Sequence, residues 1–364
     1  MTPLHVAIDA RELAGHVTGP GIYLLNLLRE WLPREDVRVS LISHRALADD
    51  VDALPGIERA ARIVRPDPTG GTVWEQLVLP RAAAAVAPDV LFSPAYTAPL
   101  LTRLPSVVAI HDVSYAAHPA WFRPSERRRR NFVSRRAAHR AAAVTTLSEF
   151  SAAEISRLFG TPRARIHIIP PGAPARLATA PPAPRDPLIV FVGSIFNRRH
   201  VPTLIDAFAR VARARPDATL FIAGANRTWP HEDIRGMIDA SEARARISWL
   251  EDASNALVSE VLSRASATAF LSEYEGFAMT PFEGLAQGAP PVLLDTPVAR
   301  EVYGDAALYV AKGDAVAASL ALTRLLDDAA LRESLVARAE PMWARYDWAR
   351  SAGAMLGVLR EAAR

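Results

Sequence analysis

Short β-branched and aliphatic runs alternate with longer segments of helical period, and they do so in two series separated by a proline- and alanine-dense stretch, PPGAPARLATAPPAPRDP, at residues 170–187. A chain written this way folds into parallel sheets joined by crossover helices, a doubly wound α/β architecture. The first series predicts strands at 4–9, 37–43, 89–93, 106–111, 143–147 and 165–170. The second predicts them at 188–193, 218–224, 246–250, 267–272, 290–295 and 307–310. At roughly 150 residues per domain, 364 residues make two domains, each able to bury its own core. We place an N-terminal Rossmann-like domain at 1–177, a linker at 178–187, a C-terminal one at 188–345 and a last helix at 346–364. Ligands of such sheets bind outside the carboxyl ends of the strands, and two such domains leave a cleft.

The residue inventory removes several chemistries. No cysteine is present, which excludes disulfides, thiolate nucleophiles and cysteine-held metals. Lys312 is the single lysine, and its setting YVAKGD lacks the glycine pattern of a P-loop. A pyridoxal enzyme would have to use that one residue. Residues 15–21, GHVTGPG, fail the glycine spacing of a dinucleotide fingerprint. The nine histidines never fall three or four apart, so no paired helical metal site is drawn from them, and we expect neither metal nor cofactor. Asp50 and Asp52 have D-x-D spacing but follow no buried strand and read as solvated. A net charge of +3 carries no nucleic-acid footprint. The longest apolar stretch, 82–102, is broken by Pro88, Asp89, Pro94 and Pro99, which excludes a bilayer helix, and MTPLHVAIDAREL does not read as a signal peptide; we expect a cytoplasmic protein.

The densest segment is LSEYEGFAMTPFEGLAQGAPPVLLD, residues 271–295. It follows a predicted buried strand and opens a helix, with Thr280 as the expected N-cap and Pro281 as the first helical residue. The first-turn N–H groups and the positive helix end would form an anion site. Glu275 and Glu283 stand eight apart, and carboxylates beside an anion site suit a ligand that also carries hydroxyls, as a nucleotide sugar does. Thr280 and Glu283 also have capping-box spacing, which would reduce Glu283 to a cap.

EGFAMTPFEGLAQGAPPV resembles the E-x7-E signature of retaining glycosyltransferase family 4. The resemblance extends over IDARELAGHVTGPGIYLLNLL, SPAYTAPL, IHDVSY, TLSEFSAAEI, VFVGSIFNRRHVPTLIDAF and TPVAREVYGDAALYV. It implies a GT-B fold of two Rossmann-like domains, the donor held by the C-terminal one, with YDWARSAGAMLGVLREA returning to the N-terminal one. It implies that Glu283 contacts the donor ribose and Glu275 the transferred sugar. Gly276, Phe277, Ala278, Met279 and Thr280 would hold sugar and diphosphate through their backbone. Arg198 and Arg199 of NRRH take the place of the family's basic pair on the diphosphate, where a guanidinium binds two oxygens at once; a solvated helix entry is the alternative. Gly19 and Gly21 fall in the family's N-terminal glycine loop. Three departures stand out: Ser194 replaces an arginine, Pro20 and Ile22 alter the glycine loop, and Ala278, Met279 and Gly284 replace Gly, Leu and Ala, Gly284 at a helix-propensity cost of up to about 1 kcal/mol.

His111 and Asp112 end the strand SVVAI, and the resemblance implies that His111 stands beside the donor sugar. The retaining chemistry of the family is pictured as front-face attack, the departing phosphate taking the acceptor's proton. Residues 121–140 hold eight arginines against one acid, with Arg129, Arg136 and Arg140 on one helix side. They read as a solvated face, as a patch for anionic membrane or a pyrophosphate-linked lipid, or as a nucleic-acid contact, of which we discount the last. The resemblance thus implies a metal-independent hexosyltransferase using a UDP- or GDP-sugar and a saccharide or lipid-linked saccharide acceptor in surface-polysaccharide assembly. A related sugar-nucleotide epimerase or a non-catalytic sugar-nucleotide-binding protein is the alternative.

Overall fold

The computed structural model describes residues 2–15, 17, 19–68, 70–174 and 185–364. The chain forms two compact units, one of Met1–Ala117, Pro124–Gly172 and Tyr346–Arg364, the other of His118–Arg123 and Ala173–Arg345. The first contains strands β1 (Leu4–Asp9), β2 (Val37–Ser43), β3 (Ala61–Val64), β4 (Val90–Ser93), β5 (Ser106–Ala109), β6 (Ala143–Thr146) and β7 (Ile166–Ile168). They make one sheet in the order β3-β2-β1-β4-β5-β6-β7, parallel throughout. β4 and β5 are buried along their whole length, as parallel strands covered by helices on both faces are. β3 has no counterpart among the predicted strands. It is a four-residue edge strand whose side chains alternate between half-buried and exposed, so its apolar run is too thin to stand out.

The second unit holds β8 (Asp186–Val192), β9 (Thr219–Ala223), β10 (Ile247–Leu250), β11 (Ala265–Phe270), β12 (Pro291–Leu294) and β13 (Leu308–Val310), in the order β10-β9-β8-β11-β12-β13 and again all parallel. β8 begins at Asp186, inside the stretch placed as linker; residues 178–184 of that linker lie outside the described residues. Chain order reverses between β8 and β11, which makes that pair the switch point where ligands of open α/β sheets bind.

The last helix, Trp348–Ala362, packs into the first unit: Ala352, Met355, Leu356 and Leu359 share a core with Leu24, Leu27, Trp31 and Val107. The Trp31 indole donates to the Ala352 carbonyl at 3.0 Å. Within the 1–177 stretch, His118–Arg123 groups with the second unit instead. There His118 stacks on Trp121 at 4.0 Å and meets Tyr274 edge-on at 5.2 Å, and Arg123 covers Trp229. Among the described residues no helix is long and apolar enough to cross a membrane.

Candidate functional site

At the switch point of the second sheet, β8 runs into Gly193 and β9 into Gly224, both with positive φ. A Cβ on Gly224 would lie 2.2 Å from the Gly193 carbonyl oxygen, and one on Gly193 would lie 2.5 Å from Arg199 Nη1. Both have a φ that favours glycine, and a side chain would run into the Gly193 backbone at position 224 and, at position 193, into the Arg199 guanidinium. Its Nη1 donates to the Ser194 carbonyl at 2.9 Å, its Nε donates to Glu275 Oε1 at 2.9 Å, and the Phe270 ring supports it at 4.8 Å. Ser194, where the resemblance expects an arginine, thus fixes the orientation of Arg199 through its backbone.

Glu275 follows β11 and is buried. The Ser272 hydroxyl donates to Oε1 at 2.9 Å, and Arg198 Nε stands 3.7 Å from the same oxygen. Burial alone would push this carboxyl up, but Arg199 and Arg198 overcome it and hold it below the usual carboxylate range. Arg198 Nε is buried without a hydrogen-bond partner. Two guanidiniums therefore converge on one carboxylate, leaving a local positive excess at the strand ends.

The helix of the E-x7-E segment runs Met279–Ala286, and its N-cap is Ala278 at φ +67° with no side-chain cap. This corrects the expected capping box. The left-handed turn at Ala278, whose carbonyl accepts from the Tyr303 hydroxyl, starts the helix early and draws Thr280 and Pro281 inside its first turn. Glu283 then has no capping N–H to serve. Among the described residues its carboxyl has no hydrogen-bond partner, and burial pushes it up to about 7. Thr280 and Met279 present first-turn N–H groups that lack intrahelical acceptors. Phe277 is buried with its ring 6.5 Å from that of Phe282. Gly284 is required rather than tolerated: a Cβ there would lie 2.5 Å from Thr268 Cγ2 and 2.9 Å from the Ala289 carbonyl oxygen. Arg198, Arg199, Glu275, Gly276, Phe277, Ala278, Met279, Thr280 and Glu283 thus occupy one sheet edge of the second unit. Ser272, Tyr303 and Gly193, which orient them, were not singled out from the sequence; of these only Gly193, the glycine that ends a predicted strand, leaves a trace there.

The first unit holds the remaining residues. His111 is buried, its Nε2 lies 2.7 Å from the Pro94 carbonyl, and its ring meets Tyr23 and Tyr96 edge-on. Since a carbonyl only accepts, Nε2 carries the proton; burial lowers the pKa, so the ring is neutral. Asp112 accepts from the Ser114 N–H and the Tyr96 hydroxyl, a local turn role. Gly19 and Gly21 sit in the first turn of the helix Gly19–Trp31, where Pro20 forfeits no helical hydrogen bond; Thr18 lies outside the described residues. Gly21 is forced by close approach, a Cβ falling 2.4 Å from the Glu12 carbonyl oxygen. Asp50 and Asp52 lie on the short helix Asp49–Asp52, and Asp52 pairs with Arg62 at the surface. On the helix Pro124–Arg140, Arg129, Arg136 and Arg140 are exposed; Arg129 donates to the Thr72 hydroxyl and Arg136 covers the exposed Phe132 ring.

Residues 17–176 match the family model described as glycosyltransferase family 4, and residues 178–342 match the one described as glycosyl transferases group 1. The chain is 24% identical over 255 residues to the O-antigen chain mannosyltransferase B of Escherichia coli, covering 67% of each protein. Sucrose-phosphate synthase of Thermosynechococcus elongatus superposes with a TM-score of 0.79 at 18% identity, over 98% of both chains. HepE of Anabaena, solved with UDP and glucose, superposes with a TM-score of 0.78 at 15% identity, over 98% of this chain and 100% of its own.

Proposed function

The chain belongs to the group 1 and family 4 glycosyl transferases and has their GT-B fold, and from that premise we propose that it transfers a hexose of mannose or glucose type from a UDP- or GDP-sugar to a saccharide acceptor, with retention and without a metal ion. The carrying observation is the pair of unlike carboxyls at one sheet edge. Glu275 is held ionised between Arg198 and Arg199, and the carboxyl of the half-buried Glu283 has no partner among the described residues and is pushed up to about 7. A carboxyl with no partner in a half-closed place is a poor structural element and a good acceptor for ribose hydroxyls. In this reading Glu275 orients the transferred sugar, and the backbone of residues 276–280 cradles sugar and diphosphate at the helix N-terminus. The acceptor hydroxyl oxygen bonds to the anomeric carbon as the bond from that carbon to the diphosphate breaks, and the leaving phosphate oxygen takes the proton. Arg198 and Arg199 stabilise the charge that develops there, which takes the place of a metal. On the first unit, the neutral His111 ring offers Nδ1 as an acceptor for a sugar hydroxyl, and Gly19 and Gly21 are assigned to the donor as the glycine-loop residues.

Assembly of a surface polysaccharide fits the O-antigen relative, and a lipid-linked acceptor fits the exposed arginines at 129, 136 and 140 beside Phe132, which would hold the protein at the inner face of a plasma membrane. The test is a thermal-shift panel of UDP, GDP, ADP and their common sugars, followed by transfer assays with and without EDTA and NMR of the product's anomeric configuration. Stabilisation by one nucleotide family and EDTA-resistant transfer with retention are expected. A flat panel would leave a binding protein of another kind, and loss with EDTA restored by manganese would return a metal to the mechanism.

A further inference from the structure

The loop carrying Arg198 and Arg199 is fastened by a group of polar side chains that the family signature does not include. Glu273, two residues before Glu275, gives its backbone N–H to the Arg198 carbonyl at 2.9 Å. Its Oε2 is shared by His200 Nε2 at 2.6 Å and Lys312 Nζ at 2.6 Å. These partners come from three strand-end loops: His200 follows β8, Glu273 follows β11, and Lys312 follows β13 on the far side of β12. His200 has φ +46° and is the N-cap of the helix Val201–Ala214, so the chain reverses there in a conformation that needs outside support. The side chain of Glu273 is 14% exposed and that of Lys312 61%. Removing the lysine charge therefore alters the group without opening the core.

We propose that Glu273, His200 and Lys312 form a brace that positions Arg198 and Arg199 on the donor diphosphate, so that Lys312, which touches no reacting atom, sets donor affinity from outside the site. The inference rests on the reading of Arg198 and Arg199 as phosphate ligands. In chain order, residues 198, 199 and 200 bind alternately to 273 and 275: the Arg198 carbonyl takes the Glu273 N–H, the Arg199 guanidinium takes Glu275, and the His200 ring takes the Glu273 carboxylate. Freeing Glu273 from the lysine loosens the third stitch of this seam, and the guanidiniums lose their fixed direction before they lose their charge.

The single lysine makes the test clean. UDP and GDP are titrated calorimetrically into the full chain, and the one that binds is carried into Lys312→Gln, Lys312→Arg, Glu273→Gln and Arg199→Gln. Lys312→Gln and Glu273→Gln are expected to weaken binding about fivefold. Lys312→Arg is expected to restore it, with the melting temperature of both Lys312 variants within ~2 °C of the parent because the residue is largely exposed. Acetylating the parent's amines should reproduce Lys312→Gln, whereas reductive dimethylation, which keeps the charge, should not; Lys312→Arg under the same reagents subtracts the α-amine. If Arg199→Gln loses binding while Lys312→Gln binds as the parent does, the brace is wrong and the phosphate reading stands. If Arg199→Gln binds unchanged, or neither nucleotide binds the parent, the phosphate reading falls and the brace with it.

Discussion

Glu275 and Glu283 show how one residue type takes opposite states over eight positions. Glu275 is buried among guanidiniums and stays ionised, while the half-buried Glu283 has no charged neighbour to offset its desolvation and is pushed up to about 7. The second state has a consequence for stability. Between roughly pH 4.5, the unfolded value, and pH 7, the folded chain keeps a proton on Glu283 that the unfolded chain has released, so stability contributed here falls as pH rises through that window and is flat above it. We therefore expect Glu283→Gln to be more stable than the parent at pH 8, by up to about 3 kcal/mol, and equal to it near pH 4.5. Melting curves at the two pH values check this, and a variant that melts lower at pH 8 would show that Glu283 has a partner. The same variant should lose donor affinity, since an amide accepts ribose hydroxyls through one oxygen only. Glu275→Gln should cost about 10²-fold or more in turnover, because it leaves two guanidiniums facing each other and unorients the sugar; near-normal rates in that variant would remove Glu275 from the site.

At the scale of elements, two helical glycines make a matched pair. Gly284, in the helix Met279–Ala286, has Thr268 and Ala289 where a Cβ would go, while Gly353, in the helix Trp348–Ala362, has open space. Helix propensity alone would make alanine better at both by about 1 kcal/mol. We expect Gly353→Ala to gain that much, and Gly284→Ala to lose about 1–3 kcal/mol through overpacking against β11. Chemical denaturation of the two variants decides it, and a stabilised Gly284→Ala would mean the helix can slide outward freely. This contrast marks where the sequence stops being informative. Among the described residues, period and composition revealed twelve of the thirteen strands, all but β3, because parallel strands buried on both faces are written as unbroken apolar runs. They misplaced the start of the helix Met279–Ala286, because Thr280, Pro281 and Glu283 spell a cap while the turn at Ala278 depends on a tyrosine 25 residues away. The helix Pro124–Arg140 poses a further question of the same scale. If Arg129, Arg136 and Arg140 meet an anionic bilayer with Phe132 inserted between them, changing all three to glutamine should reduce sedimentation with anionic vesicles and leave nucleotide binding intact, each arginine contributing roughly 1 kcal/mol. The parent's binding should weaken as salt rises. Equal sedimentation of both proteins would leave an ordinary solvated face.

Over the whole molecule, the first unit is finished by the last residues of the chain. The helix Trp348–Ala362 lies against the helix Gly19–Trp31, its Met355, Leu356 and Leu359 essentially inaccessible to solvent. The Ser351 hydroxyl donates to the Pro170 carbonyl at 2.7 Å, and Gly172 is pressed against Trp348 so closely that a Cβ would lie 2.4 Å from its ring. The family resemblance implied a tail that returns to the N-terminal domain, and the structure shows how much of the core it supplies. Each of the three fully buried side chains is worth about 1.5–3 kcal/mol of burial, a sum comparable to the entire stability of a domain of this size. A chain ended after Arg345 is therefore expected to lose the first unit's fold rather than merely its activity. The graded version is Leu356→Ala, which should cost about 2–5 kcal/mol, and because Arg198, Arg199 and Glu283, the residues proposed to hold diphosphate and ribose, belong to the second unit, stabilisation by UDP or GDP is expected to persist. Limited proteolysis separates the cases. Cleavage of the truncated chain should concentrate within residues 1–172 while fragments of 186–345 survive. Uniform cleavage, or a truncated chain as resistant as the full one, would mean that the tail helix does not hold the first unit together.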